Sequence, residues 1–250
     1  MVVASERLDM NFLRYLDAEK VGLALALVAL GVGLWHLREI KEISGSISTR
    51  YVDTFPRNLP SIIDLMDRTT GSLWIVTDTP AYGHFSNPGG FEKYKVKLEG
   101  LASPDSKISI RLLTYDDPTR MSHAKQQFCT TDINQLRERD SYKTYFAYWR
   151  NKPQPETMDN FYNPIHENND NFRRELAQYN IEISETKNPL PVFLWMRDEH
   201  EAIFSFYNYG QSPREVSFRT NDQKLLAVLK EMAEVAFKDS SRYEPQPKAK

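Results

Sequence analysis

The sequence predicts an α/β fold, a mixed sheet flanked by helices, carried behind one N-terminal transmembrane helix. Three observations lead there. Residues 21–37 read VGLALALVALGVGLWHL and contain no charge. After residue 59, short apolar β runs alternate with helical stretches, the order that builds parallel strands joined by crossover helices. Near the C-terminus, closely spaced strands run into one long amphipathic helix.

At 1.5 Å per residue, about 17 residues make a helix roughly 25 Å long, enough for a thin hydrocarbon core. Trp35 stands at one end of the run, and Lys20 and Arg38 close it, as expected of a membrane-spanning helix with interfacial anchors. The run is apolar all round, unlike a core helix with a polar face. The acidic residues Glu6, Asp9, Asp17 and Glu19 precede it, which argues against a cleaved signal peptide. Gly22, Ala26, Ala29 and Gly33 place four small side chains on one stripe, a pattern that brings helix backbones together in lipid and so points to self-association. The expected organisation is a polar segment over 1–20, the transmembrane helix over 21–37, a connector over 38–58, a folded domain over 59–238 and a disordered tail over 239–250.

Within the domain, Pro60 opens a helix carrying Ile62, Ile63, Leu65 and Met66, ended by Thr69-Thr70-Gly71. Residues 72–77 form a strand, 91–101 a helix and 107–114 a second strand. Residues 134–149 and 160–179 read as helical, with Pro153 and Pro155 between them. Residues 181–184, 190–196, 202–207 and 215–219 are short strands. Asn221 or Asp222 caps a closing helix whose apolar side holds Leu225, Leu226, Leu229, Met232, Val235 and Phe237.

Lys and Arg number 32 against 34 Asp and Glu, a net charge of −2, so no global basic field favours nucleic acid. The ring-rich stretch with Tyr142, Tyr145, Phe146, Tyr148 and Trp149 fits one helical face, which favours core packing over base stacking. Cys129 is the only cysteine, and the chain has no N-x-S/T sequon. Both suit a cytoplasmic domain, although basic flanks balance on the two sides of the run. His36, His84, His123, His166 and His200 show no metal-ligand spacing, and no metal or other cofactor is expected.

The loop over 78–90 leaves the C-terminal end of a buried strand and enters a helix N-terminus, where open α/β sheets and free backbone N–H groups place anionic ligands. Asp78, Tyr82, His84, Gly89 and Gly90 are its candidate ligand-binding residues, with Asp78 and His84 as a potential acid–base pair. A structural loop is the competing reading.

Residues 194–237 resemble the end of a phospholipase D-like half-domain. That superfamily carries H-x-K-x4-D, then a hydrophobic strand, a small residue, an Asn about ten positions after the Asp, a Glu with a further strand, an acidic turn and a closing helix. Asp198 matches the Asp, Ser205 the small residue, Asn208 the Asn, Glu215 with Val216 and Phe218 the later strand, and Asp222 the helix start. The resemblance implies a phospholipase D-like fold, and homodimerisation, since family half-domains pair across one site. It adds Arg197, Asp198, Ser205 and Asn208 as candidate ligand-binding residues. The positions of the catalytic Lys and His are Phe193 and Pro191, which supply no nucleophile, proton or charge for phosphoryl chemistry.

The expected function is therefore a membrane-anchored, catalytically degenerate phospholipase D-like domain acting as a binding and oligomerising sensor or effector module. Its expected partners are the lipid bilayer, a second copy, a protein partner and a phosphate-containing ligand. The alternative is a membrane-bound phosphodiesterase or other hydrolase using Asp78 and His84.

Overall fold

The structure, a computed structural model, describes residues 48–128, 130–208 and 214–245. The apolar run 21–37 with Gly22, Ala26, Ala29 and Gly33, the lone Cys129 and the end of the tail lie outside the described residues. Among the described residues no helix is long and apolar enough to cross a membrane.

Eight described strands form one mixed sheet: β1 (Thr49–Thr54), β2 (Ser72–Val76), β3 (Ser109–Tyr115), β4 (Ile181–Thr186), β5 (Phe193–Arg197), β6 (Glu201–Asn208), β7 (Arg214–Thr220) and β8 (Ser241–Arg242). Their spatial order is β1-β7-β6-β5-β2-β3-β4-β8. β2, β3 and β4 run parallel, and every other pairing is antiparallel. The helices are α1 (Leu59–Asp67), α2 (Pro88–Leu101), α3 (Asp117–Phe128), α4 (Ile133–Glu138), α5 (Asp140–Trp149), α6 (Met158–Leu176) and α7 (Gln223–Lys238).

Both faces of the central strands are covered, which is why β2 reads as an unbroken apolar run. Leu73 and Ile75 face one core, shared with Leu59, Ile62, Leu65 and Met66 of α1, Tyr94 and Leu98 of α2, and Phe172 and Leu176 of α6. Val76, Leu113, Leu194, Met196 and Phe204 face the other, under Leu226, Leu229, Ala233 and Phe237 of α7. Asp222 caps α7, its Oδ1 accepting from Leu225 N at 2.8 Å. A third core holds Phe128, Leu136, Tyr142, Trp149 and Phe161 among α3 to α6, so the described rings of the aromatic middle pack inside the protein.

Four segments depart from the sequence expectation or go beyond it. Residues 49–54, assigned to the connector, are β1, which pairs with β7 along its length. Residues 134–149 break at Arg139, whose extended backbone separates α4 from α5. Residues 117–128, to which the sequence pattern assigns no element, form α3. Its inward face carries Arg120 and Gln127 beside Ala124 and Phe128, so burial there is not marked by an apolar stripe. Toward the C-terminus, Ser241–Arg242, inside the expected disordered tail, pairs with β4.

Candidate functional site

Because β5 runs antiparallel to β2, its two ends meet different chemistry. Leu73 pairs with Arg197 and Val76 with Leu194. Arg197 and Asp198 therefore lie at the start of β2, while the 78–90 loop leaves its far end. Ser205 pairs with Phe193, which puts Ser205, and Asn208 beyond it in the strand, at the loop's end of the sheet. The candidate residues divide between two opposite edges.

At the Arg197 edge the groups are fully engaged. The Asp198 carboxylate accepts from Thr70 N and Oγ1 (3.0 and 3.1 Å), Gly71 N (2.7 Å) and Ser72 N (2.8 Å). Burial alone would raise its pKa, but the N–H groups of Ser72, Thr70 and Gly71 outweigh burial and hold it below the ordinary value. These bonds tie the β5–β6 turn, where Asp198 and Glu199 have positive φ, to the start of β2. Arg197 reaches Glu201 at 2.8 Å and the Arg68 carbonyl at 3.2 Å. Glu201 also binds Arg68 and Arg219. Both candidate groups at this edge are spent on holding the sheet together.

The loop residues also separate. Asp78 lies 3.6 Å from Nε of the buried Arg120. His84 turns elsewhere, its ring edge-on to Phe85 and Phe91 and tilted against Tyr148. Burial, then Lys152 and Lys95, lowers its pKa to about 4, so at neutral pH it is an uncharged ring in an aromatic cage. The potential Asp78–His84 acid–base pair is not formed in this structure. Gly90 lies in the first turn of α2, where its N–H caps onto Asn87 Oδ1 at 3.0 Å. A Cβ on it would come within 2.8 Å of both the Asn87 side chain and Leu59 Cδ2. Close packing against α1 explains this glycine, whereas Gly89 faces open space.

Tyr82 points inward. Its hydroxyl donates to Glu215 Oε1 at 2.5 Å. Asn58 Nδ2 lies 2.6 Å from that hydroxyl, 2.7 Å from Ser217 Oγ and 3.2 Å from Glu215 Oε1. Ser217 Oγ meets Ser205 Oγ at 2.7 Å. Asn58, Ser205 and Ser217 are completely buried, and Tyr82 and Glu215 nearly so. Burial pushes the Glu215 carboxyl up to about 7, against the lowering effect of bonds from Tyr82, Ser205 and Asn58 and with a raising effect of Asp78. Burial and then Glu215 raise the Tyr82 phenol. The cluster is a closed hydrogen-bonded network around an acid that is largely protonated just below neutral pH.

The network continues as a row across the sheet. Ser217 pairs with Ser205, and Ser205 with Phe193. One step past the Val76–Leu194 and Val76–Leu113 pairs, Thr77 falls between Phe193 and Thr114, and Thr114 pairs with Glu185. The row thus reads Ser217, Ser205, Phe193, Thr77, Thr114, Glu185. Phe193 is its single apolar member, buried and stacked on Tyr207 at 5.6 Å. Thr77 and Thr114 are completely buried, and their hydroxyls have no hydrogen-bond partner among the described residues. Such a row lines one end of the sheet with buried hydroxyls and holds, at its centre, no imidazole, thiol or cation. Among the described residues no three His, Cys, Asp or Glu side chains gather in a metal-binding group.

Asn58, Thr77, Thr114, Arg120 and Ser217 escape a motif search because none falls in a known spacing. The strand parity of 214–220 does carry a signal. Glu215 and Ser217 alternate with Val216 and Phe218, so the face of the strand that turns to the core must bury its polar parity as a network.

No family model matches the chain, and no curated protein matches it. Solved structures that align with it include TrmBL2, an archaeal chromatin protein, at 8% identity and TM-score 0.44, covering 93% of this chain and 70% of that one. NucT from Helicobacter pylori aligns at 10% identity and TM-score 0.40, covering 78% of this chain and 98% of that one. Nuc from Salmonella typhimurium, a phospholipase D family member, aligns at 8% identity and TM-score 0.42, covering 79% and 98%. Likenesses this loose assign no family.

Proposed function

We propose that the chain is a membrane-anchored domain of phospholipase D-like descent that has lost phosphodiester chemistry and acts by binding and oligomerising. The observation that carries this reading is Phe193. It occupies the position at which the sequence resemblance requires a catalytic lysine, and it does so as the one apolar side chain in a row of hydroxyls. Pro191, at the position of the nucleophilic imidazole, offers neither a nucleophile nor a proton. The buried hydroxyls and the Glu215 network pair among themselves and hold the sheet end together without reactive chemistry, and the resemblance makes a phosphate-containing ligand the class to test. Pairing of two copies follows from the same resemblance and from the stripe of Gly22, Ala26, Ala29 and Gly33. The charge-free run over 21–37 supports the anchor, and the single cysteine supports a cytoplasmic domain.

The test is turnover. Full-length protein in mild detergent is incubated with a chromogenic phosphodiester and with phosphatidylcholine vesicles. The expected result is no release above buffer. Release that copurifies with the protein and is lost in His84→Ala or Asp78→Asn overturns the reading and establishes the hydrolase alternative.

A further inference from the structure

We propose that the outer face of the β1–β7–β6 edge is a lipid-docking surface, on which the domain rests against the headgroup layer of the bilayer that holds its own N-terminal run. This inference rests on the membrane-anchor reading and adds where the domain touches lipid.

The surface is aromatic and, among the described residues, uncovered. α7 packs over Val76, Leu113, Leu194, Met196, Ala202 and Phe204, but the same sheet face continues past α7 onto β6, β7 and β1. There Phe206 is 54% and Tyr51 57% exposed, with partly buried Phe218 between them. The rings are contiguous: Phe206 lies 6.3 Å from Phe218 and 5.7 Å from Phe204, and Tyr51 lies 6.2 Å from Phe218, all edge-on. The third contact to Phe218 comes from Phe204, which stacks on it and ties the patch to the core. Exposed rings that touch one another are a patch, and such a patch marks a surface that meets an apolar partner.

The chain beyond the structure says which partner. Residues 1–47 precede the described domain and lead directly into β1, the strand that carries Tyr51. Residues 38–51 separate the charge-free run from Tyr51, a contour of at most roughly 50 Å. A domain tethered that closely needs only a weak contact to stay on the surface, because the tether supplies a high local concentration of lipid. The area agrees. Three rings, each exposing part of its surface, offer on the order of 300 Å², well short of the roughly 800 Å² per partner of a stable protein–protein interface. Tyr and Phe are also side chains that settle at the headgroup boundary.

Tryptophan quenching separates the claims. The full-length chain is reconstituted into phosphatidylcholine vesicles with acyl chains brominated near the headgroups, at a density of one chain or fewer per vesicle. In the wild type, quenching of Trp35 reports the anchor, since Trp149 and Trp195 are buried and Trp74 packs against Phe237 of α7. Phe206→Trp in a Trp35→Phe background reports the patch, and Tyr51→Trp in the same background repeats the measurement on another strand. The expected result is loss of the introduced indole's emission in brominated, not in unbrominated, vesicles. Quenching of Trp35 with no quenching at 206 or 51 overturns the docking surface and leaves the anchor standing. No quenching at any of the three overturns both. Quenching at 206 or 51 only when chains are crowded in the vesicle assigns the patch to a second copy and overturns lipid docking.

Discussion

Glu215→Gln is the perturbation that most cleanly reads the buried network. Burial raises this carboxyl from 4.5 to about 7, and at 1.36 kcal/mol per unit the difference is roughly 3 kcal/mol. The sign follows from proton counting. Between about pH 4.5 and 7 the folded state holds the proton that the unfolded state has released, so stability falls as pH rises through that window. Glutamine mimics the protonated acid, and its carbonyl still accepts from Tyr82 and Asn58. The variant should match the wild type near pH 4.5 and exceed it by roughly 3 kcal/mol at pH 7.5. Urea unfolding of the full-length chain in detergent, run across that range, measures the gap. The difference between the two proteins matters more than either profile. His84, with its pKa lowered to about 4, works the other way, losing stability as pH falls from 6.5 toward 4, and it cancels in the subtraction. A gap that does not change with pH would mean that Glu215 is charged inside the fold and that its carboxyl is not raised by burial.

Three further outcomes follow from the geometry. Asp198→Ala removes the acceptor for three backbone N–H groups and one hydroxyl, and should cost about 2–3 kcal/mol by denaturant titration. Gly90→Ala, with contacts at 2.6 and 2.8 Å to the Asn87 side chain, should destabilise by about 1–3 kcal/mol and lower Tm, while Gly89→Ala, facing open space, should leave Tm unchanged or slightly raised. The His84 imidazole should titrate near pH 4 in an NMR pH series; a midpoint at the ordinary value would mean that the aromatic cage is open.

The legible parts of the fold were those in which one physical signal dominates. The β2 run is apolar because both its faces are covered, and α7 shows both a cap at Asp222 and an apolar stripe. α3 was illegible because its buried face includes Arg120 and Gln127, whose burial depends on partners distant in sequence. β1 was missed because its burial pattern is shallow and its pairing with β7 is long-range. At the candidate site the sequence names residues but not their contacts. Asp198 was found, but antiparallel pairing of β5 with β2 carries it to the edge opposite the loop, where it binds backbone. Tyr82 was found as a loop residue and proves to be a core residue bound to Glu215. Asp78 and His84 are close in sequence, yet the loop turns one toward Arg120 and the other into Phe85, Phe91 and Tyr148. Local spacing does not encode such divergence; the packing partners decide it.

The central claim is that Phe193 and Pro191 leave the sheet edge without phosphodiester chemistry. Phosphorus NMR of a simple phosphodiester, incubated with a stoichiometric amount of full-length protein in oxygen-18 water, tests it most directly. The diester signal should stay unchanged, with no monoester, no isotope-shifted product and no phosphorus resonance on the protein. Isotope incorporation that persists through repurification and disappears in a substitution along the Ser205–Phe193–Thr77 row would contradict it.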